Sequence, residues 1–155
     1  MSAGLDLPAG DFMPHAGPML LLERIVAVDE ETLVATTRFA PGSLFERDGR
    51  VGSWVALECI AQAVAAWAGH HGRQAGEAPR VGFLLGTSRF EVTRPWMSAG
   101  APLRIEISKE IQMDDGLGQF TGHLFEDGER VASAAVTVFG PKDPLQVIGG
   151  RRGAA

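Results

Sequence analysis

The sequence predicts a single α+β domain in which an antiparallel sheet wraps around one buried helix. The segment Trp54–Trp67 is apolar or small at nearly every position, which indicates a helix hidden from water. Segments of strand length with alternating character lie on both sides of it. Between the last of them stand Asp115-Gly116 and Asp127-Gly128, dipeptides typical of β-hairpin turns.

Six segments have the alternation, or the content of β-branched and aromatic residues, that favours strands. They are Met19–Asp29, Thr32–Phe39, Arg80–Trp96, Pro102–Asp114, Leu117–Asp127 and Glu129–Phe139. The third is expected to kink near Gly86, and Ala40–Gly52, punctuated by Gly and Pro, is expected to be a loop. We expect the domain to span residues 1–140 and residues 141–155, which lack periodicity, to form a mobile tail.

The ends and neighbours of the helix can also be predicted. Ser53 is expected to cap its start, and Gly69–Gly72 to end it. The helix is hydrophobic on almost all sides, but a sheet of this length covers only part of it. We therefore expect a second copy of the chain against the remainder, with a terminal edge strand available for pairing across the dimer.

The composition excludes several classes of function. The net charge of −5 argues against general binding to nucleic acids or to anionic membranes. The single cysteine, Cys59, cannot form a disulfide within the chain and favours a cytoplasmic location. No segment has the pattern of a signal peptide or of a membrane span. Zinc-site spacings, a GxGxxG motif and a P-loop are absent from the sequence, so we expect no metal and no cofactor.

Two polar residues interrupt the helix. Glu58 and Gln62 lie one turn apart on the same face. An unpaired carboxylate in such an apolar segment is costly, so we expect Glu58 to be protonated, hydrogen-bonded or facing a cavity. Such environments suit a general acid or base, and Gln62 is placed to hold the carboxyl group in position. The alternative is a carboxylate that reaches solvent or forms a salt bridge with an arginine.

Three motifs resemble those of one protein family. The helix contains LECIAQAVAAW; before it stands MPHAGPMLLLERIVAVD (Met13–Asp29), and after it GFLLGTSRFEVTRPWMSAG (Gly82–Gly100). In this order, and over most of residues 13–140, the chain is similar to the hot-dog-fold 3-hydroxyacyl-acyl-carrier-protein dehydratases of bacterial fatty-acid synthesis. The first motif and the helix also resemble the divergent dehydratases of aryl-polyene and related lipid clusters.

The resemblance implies a hot-dog fold and a dimer with active sites at its interface. It gives Glu58 the role of acid or base and places Gln62 where the family has a glutamine. In the family, a histidine on the loop before the helix, contributed by the other subunit, completes the pair. The aligned loop here is Ser43–Glu46, with Leu44 in the place of the histidine, and Ser53 replaces a glycine at the start of the helix.

A second imidazole is available in His15, which matches the histidine of the opening motif. That segment lies near the helix in hot-dog folds, so we predict His15 and Glu58 as the catalytic pair. The alternative for His15 is a structural histidine bonded to the backbone. His70 and His71 are expected to face solvent, and His123 is expected to be structural.

The implied reaction removes water from a 3-hydroxyacyl thioester in fatty-acid, polyene or polyketide-like synthesis. It needs a base, an acid and a polarised carbonyl, and no metal or redox cofactor. A backbone N–H at Ser53 or Trp54, at the positive end of the helix, is expected to receive the thioester oxygen. The acyl chain is expected to occupy an apolar tunnel lined by the helix and by Phe83 or Leu85.

The expected partner is an acyl carrier protein, which delivers the substrate on phosphopantetheine. Arginines are concentrated after the helix and along the next strand, and a basic cluster in an acidic chain suits an acidic carrier. They are Arg73, Arg80, Arg89 and Arg94; the alternative is a scatter of solvated side chains. A homodimer is expected, with a higher oligomer or a hetero-pair left open.

Two other functions fit the same residues. A hot-dog acyl thioesterase uses the same fold, with water as the attacking species. A catalytically silent subunit, which binds acyl chains or pairs with an active partner, would account for the leucine at position 44.

Overall fold

The computed structural model describes residues 4–77 and 82–141. Within these ranges there are one α-helix, α1 (Val55–Gln74), and ten strands numbered in chain order. The strands are β1 (Leu7–Pro8), β2 (Arg24–Val28), β3 (Thr32–Thr37), β4 (Glu46–Arg47), β5 (Arg50–Gly52), β6 (Phe83–Val92), β7 (Trp96–Ser98), β8 (Leu103–Gln112), β9 (Leu117–Glu126) and β10 (Glu129–Phe139).

Seven of these strands form one antiparallel sheet in the order β1-β2-β3-β8-β9-β10-β6. The sheet wraps around α1, which confirms the predicted architecture. Leu33 and Leu124 on its inner face are fully buried, as is Ile60 on the helix. The helix approaches the sheet so closely that a side chain at Gly122 would overlap Ile60. Tight packing at Ile60 therefore needs the glycine that β9 supplies at position 122.

The first predicted strand is shorter than expected. It begins at Arg24, not at Met19. The Glu23 N–H still donates to the Thr36 carbonyl of β3 (3.1 Å), but the backbone at Met19 and Leu21 bonds to a side chain of the helix. The Gln62 side chain donates a hydrogen bond to the Met19 carbonyl and accepts one from the Leu21 N–H.

The segment Arg80–Trp96, predicted as one strand, is divided into β6 and β7, and its first two residues lie outside the described ranges. Register shifts between β6 and β10 occur beside Gly86, where a kink was predicted. β7 leaves the large sheet and pairs in a second sheet of order β4-β5-β7. The prediction that Ala40–Gly52 is entirely loop is therefore wrong. Asp48-Gly49, with φ values of 54° and 78°, forms a hairpin turn there.

Both predicted ends of the helix are wrong. Ser53 does not cap it: Trp54 already has α conformation, and among the described residues the Ser53 hydroxyl has no hydrogen-bond partner. The helix also continues past Gly69–Gly72. It ends before Gly76, whose φ of 80° is the left-handed conformation of a glycine cap. In the described part of the chain, no helix has the length and apolar character needed to cross a bilayer.

The two helix glycines provide a test of this packing. The Cβ added by Gly69→Ala would overlap the backbone carbonyl of Phe12, whereas at Gly72 the nearest atom is 3.6 Å away. We expect Gly69→Ala to lower the free energy of unfolding by about 1–3 kcal/mol, despite the better helix propensity of alanine. Gly72→Ala should raise it by about 0.5–1 kcal/mol. Urea unfolding of both variants measures the difference, and equal stabilisation would contradict the close approach of Phe12.

Candidate active site

The buried amide of Gln62 organises this site. Its Nε2 donates to Glu58 Oε1 (3.1 Å) and to the Met19 carbonyl (2.7 Å), while its Oε1 accepts from the Leu21 N–H (2.9 Å). Gln62 is fully buried, but the Glu58 side chain is 38 % exposed and opens into a cavity. The expectation that Glu58 is hydrogen-bonded and faces a cavity is therefore confirmed.

His15 lies against the same carboxyl group. Its Nε2 is 3.8 Å from Glu58 Oε1 in the same chain, within ion-pair distance if the imidazole is protonated. His15 Nδ1 is enclosed and has no hydrogen-bond partner among the described residues. The segment that carries His15 leads directly to Met19 and Leu21, so the Gln62 hydrogen bonds fix its position beside the helix.

A cavity of about 520 Å³ begins at this pair and follows α1 toward its C-terminal end. Its near part is lined by Glu58, Ala61 and Ala65, and its far part is walled by aromatic side chains. The aromatic residues are Trp67, Phe83, Phe120 and Phe139. Of the strand residues predicted for a tunnel, Phe83 lines the cavity, whereas Leu85 is 58 % exposed and its neighbour Leu84 takes the expected place.

The start of the helix differs from the sequence prediction at Ser53. The Ser53 N–H donates to the Pro95 carbonyl (2.9 Å) and is not free to bind a substrate oxygen. Of the two backbone N–H groups expected to bind the thioester oxygen, that of Trp54 is thus the one that remains. The indole of Trp54 lies against Gly52 and is 64 % exposed.

The described arginines of the predicted cluster contact different parts of the fold. Arg73 lies in the last turn of α1 over the Phe12 ring (5.1 Å), and Arg80 lies outside the described residues. Arg89 contacts the Ser133 hydroxyl on β10 (3.2 Å). Arg94 is tied to the buried Glu126 (2.6 Å), whose carboxylate also accepts from the Ser98 N–H (2.7 Å). Arg94 therefore anchors β7 to β9.

The remaining titratable groups lie outside the pair. His70 and His71 are partly buried, so the expectation that they face solvent is wrong. The His71 Nε2 donates to the Asp29 carbonyl (2.9 Å). The pKa of His70 is lowered by partial burial and, to a smaller extent, by the charge of His71.

Complete burial raises the pKa of the Cys59 thiol to about 12, so it is not a nucleophile near neutral pH. Within the described residues, no group of three or more His, Cys, Asp or Glu could hold a metal ion.

Some lining residues were not predicted from the sequence. The helix residues Ala61, Ala65, Ala68 and Gly72 recur at intervals of three and four, the spacing of a single helix face. This spacing is visible in the sequence, but small residues also pack against a sheet, so it did not identify a cavity wall. The aromatic residues of the far end come from four different elements, and apart from Phe83 they carry no local signal.

A sheet-wrapped helix with an imidazole and a carboxylate at one end of an apolar cavity defines a hot-dog enzyme of the acyl-thioester class. The family model described as ApeP dehydratase, ApeP-like, matches residues 7–149. The chain therefore belongs to the ApeP-like dehydratase family, and the dehydratase activity that the sequence resemblance implied is confirmed. No curated protein matches the chain.

Solved structures support the same assignment. A chain of the dehydratase heterocomplex ApeI:P from Xenorhabdus doucetiae is 27% identical, with a TM-score of 0.86 over 94% of this chain and 97% of that chain. A putative thioesterase from Ralstonia eutropha JMP134 is 21% identical (TM-score 0.57; 74% and 82% covered). A hypothetical thioesterase with coenzyme A from Streptococcus pneumoniae TIGR4 is 17% identical (TM-score 0.59; 77% and 90% covered). The two thioesterases share the fold alone.

The Gln62 hydrogen bonds can be tested without a substrate. Gln62→Leu keeps the volume but leaves the buried Leu21 N–H and the partly buried Met19 carbonyl without their side-chain partner. We expect it to lower the free energy of unfolding by about 2–4 kcal/mol. The matched control is Gln74→Leu at the exposed end of α1, which should stay within about 0.5 kcal/mol of wild type. Equal urea midpoints for the two variants would contradict the role given to Gln62.

Proposed function

We propose that the chain removes water from a 3-hydroxyacyl thioester, delivered by an acyl carrier protein in aryl-polyene or related lipid synthesis, with His15 and Glu58 as the catalytic pair. The observation that carries this proposal is the 3.8 Å approach of His15 Nε2 to Glu58 Oε1 at one end of the cavity. A cytoplasmic location follows from the carrier-bound substrate and agrees with the free Cys59.

The elimination needs one proton to leave the substrate and one to enter it. The C2–H bond breaks, its electron pair forms the C2–C3 double bond, and the C3 hydroxyl departs as water after protonation. A pair that holds one proton between its two members is sufficient, because the base takes a proton as the acid gives one. Side chains 3.8 Å apart can both reach neighbouring carbons of one substrate, and Gln62 holds the carboxyl group toward them.

The thioester carbonyl lies toward the start of the helix in this arrangement. Trp54 precedes Glu58 by one turn on the same face, and its backbone N–H belongs to the positive end of the helix. Negative charge develops on the thioester oxygen as the C2 proton leaves, so a donor at this point lowers the barrier.

The leucine that replaces the family's loop histidine supports an imidazole supplied within the chain. Leu44 is at the surface and half exposed, so the position of the family's histidine offers no acid or base. His15 comes from the same chain as Glu58, and the pair is therefore complete without a histidine from another subunit.

Substitution of the pair tests the proposal. We expect His15→Ala and Glu58→Gln each to reduce formation of the 2-enoyl thioester by about 10²–10⁴-fold. His123→Ala and Glu91→Gln, at positions that do not line the cavity, are matched controls that should retain activity. The measurement is the absorbance of the conjugated enoyl thioester with a 3-hydroxyacyl carrier substrate.

Two outcomes would contradict the assignment. If wild type turns over and both variants match it, His15 and Glu58 are not the catalytic pair. If free thiol is released from a saturated acyl carrier while no enoyl product forms from the hydroxyacyl carrier, the thioesterase reading replaces the dehydratase reading.

We also propose that the chain pairs with a second hot-dog subunit, either another copy or a different one. The similar ApeI:P structure is a heterocomplex, which favours a different subunit. β6 is the last strand of the large sheet and has no neighbour on its outer edge within the described residues. Leu84, Leu85 and Val92 on this strand are exposed. A long apolar edge of this kind is suited to strand pairing.

Charge on this edge should prevent the pairing. We expect Leu85→Lys to shift the protein from dimer to monomer in analytical ultracentrifugation, alone or with a co-expressed hot-dog partner. Glu30→Lys, in the exposed turn between β2 and β3, is the control and should leave the dimer intact. An unchanged dimer in Leu85→Lys would place the subunit interface elsewhere.

A further inference from the structure

The cavity has a direction that constrains where a carrier can approach. From the pair it extends toward the C-terminal end of α1, and the helix residues that line it run from Glu58 to Gly72, about 20 Å along the axis. If C2 and C3 of the substrate lie at the pair, as in the proposed function on which this step rests, the rest of the acyl chain occupies the cavity. The thioester and its carrier then lie on the opposite side, toward the start of the helix.

Two of the arginines predicted to dock a carrier do not offer a free charge on that side. Arg73 is at the far end of the cavity, in the last turn of the helix. Arg94 is near the helix start, but its guanidinium is bound to the buried carboxylate of Glu126. We therefore consider the other described residues around the helix start as a carrier surface.

Apolar side chains are exposed together at the start of the helix. Trp54 and Trp96 are 64 % and 48 % exposed, and both are neighbours of Gly52: the Trp54 indole lies against it, and Trp96 pairs with it in the small sheet. Phe45 packs edge-on against Trp54 (5.6 Å between ring centroids), and the half-exposed Leu44 precedes it. We call this group, with Arg50, the N-terminal surface.

The charge of this surface is set by the β4–β5 hairpin. The Arg50 guanidinium lies over the Trp96 ring at 6.0 Å and has no carboxylate partner among the described residues. Arg47 is also exposed. The carboxylate of Glu46 is turned back onto the backbone N–H groups of Gly49 and Gly42, which lower its pKa, and Asp48 stands at the tip of the turn. Arg50 is therefore the cation that lies against the exposed Trp96.

We propose that an acidic acyl carrier protein docks on the N-terminal surface. Arg50 receives an acidic side chain of the carrier, Trp54 and Trp96 receive its apolar residues, and the phosphopantetheine arm passes Trp54 to reach Glu58 one turn further along the helix. Exposed aromatic residues beside an arginine are the composition of binding hot spots, and an acidic partner complements the arginine. The carrier protein thus lies at the start of the helix, and the acyl chain extends toward the C-terminal end of the helix.

Direct binding tests this surface independently of turnover. The probe is a bacterial fatty-acid-synthesis acyl carrier protein loaded with a 3-hydroxyacyl group, titrated against the full chain by calorimetry. We expect Arg50→Glu to weaken binding about tenfold at low salt, with the difference shrinking as salt rises. Arg73→Glu, an equal charge reversal at the other end of the cavity, should bind as wild type does.

The outcomes separate this proposal from the proposed function. No binding by wild type, or equal binding by wild type and Arg50→Glu, would overturn the surface. Loss of binding in Arg73→Glu alone would move the carrier to the other end of the helix and overturn it too. If Arg50→Glu changes the sedimentation coefficient of the free protein, the surface is a subunit interface and the proposal is wrong. Binding that depends on Arg50, without enoyl formation, would support the surface while contradicting the catalytic pair.

Discussion

The side chain of Gln62 connects the parts on which the candidate site depends. Its amide is fully buried and uses donor and acceptor together, toward Glu58, Met19 and Leu21. Because an unpaired buried amide is costly, the side chain and its three partners are held in one arrangement. The carboxyl group of Glu58 is aimed into the cavity by the same contacts that keep the segment after His15 against the helix.

This constraint explains a local feature of the fold as well as the site. The backbone around Met19 and Leu21 would continue β2 if it paired with β3, but it is bonded to a helix side chain instead. The segment therefore crosses the helix next to Glu58 and brings His15 to it. The same hydrogen bonds thus shorten the strand and place His15 in the candidate active site.

The start of the helix is held by a separate hydrogen-bond network. Ser53 N–H bonds to the Pro95 carbonyl, and the neighbouring Arg94 and Ser98 are joined to the buried Glu126. These bonds explain two sequence predictions that the structure changes. They occupy the Ser53 N–H, which was expected to be able to receive the thioester oxygen, and they bind Arg94, a predicted docking residue, to Glu126.

The sequence by itself determined the fold class, the helix, six strands and the Glu58–Gln62 pair. Each of these depends on a local pattern: alternation of period two, helical spacing, or a Gly-containing turn. It also supplied His15 through the family motif, but not its distance from Glu58, because 43 residues separate the two and only tertiary packing brings them together. The division of Arg80–Trp96, the loss of the Ser53 amide and the separate environments of Arg73 and Arg94 were likewise decided by contacts between distant segments. Local periodicity specifies which face of an element is buried, whereas the partner it meets there depends on the whole topology.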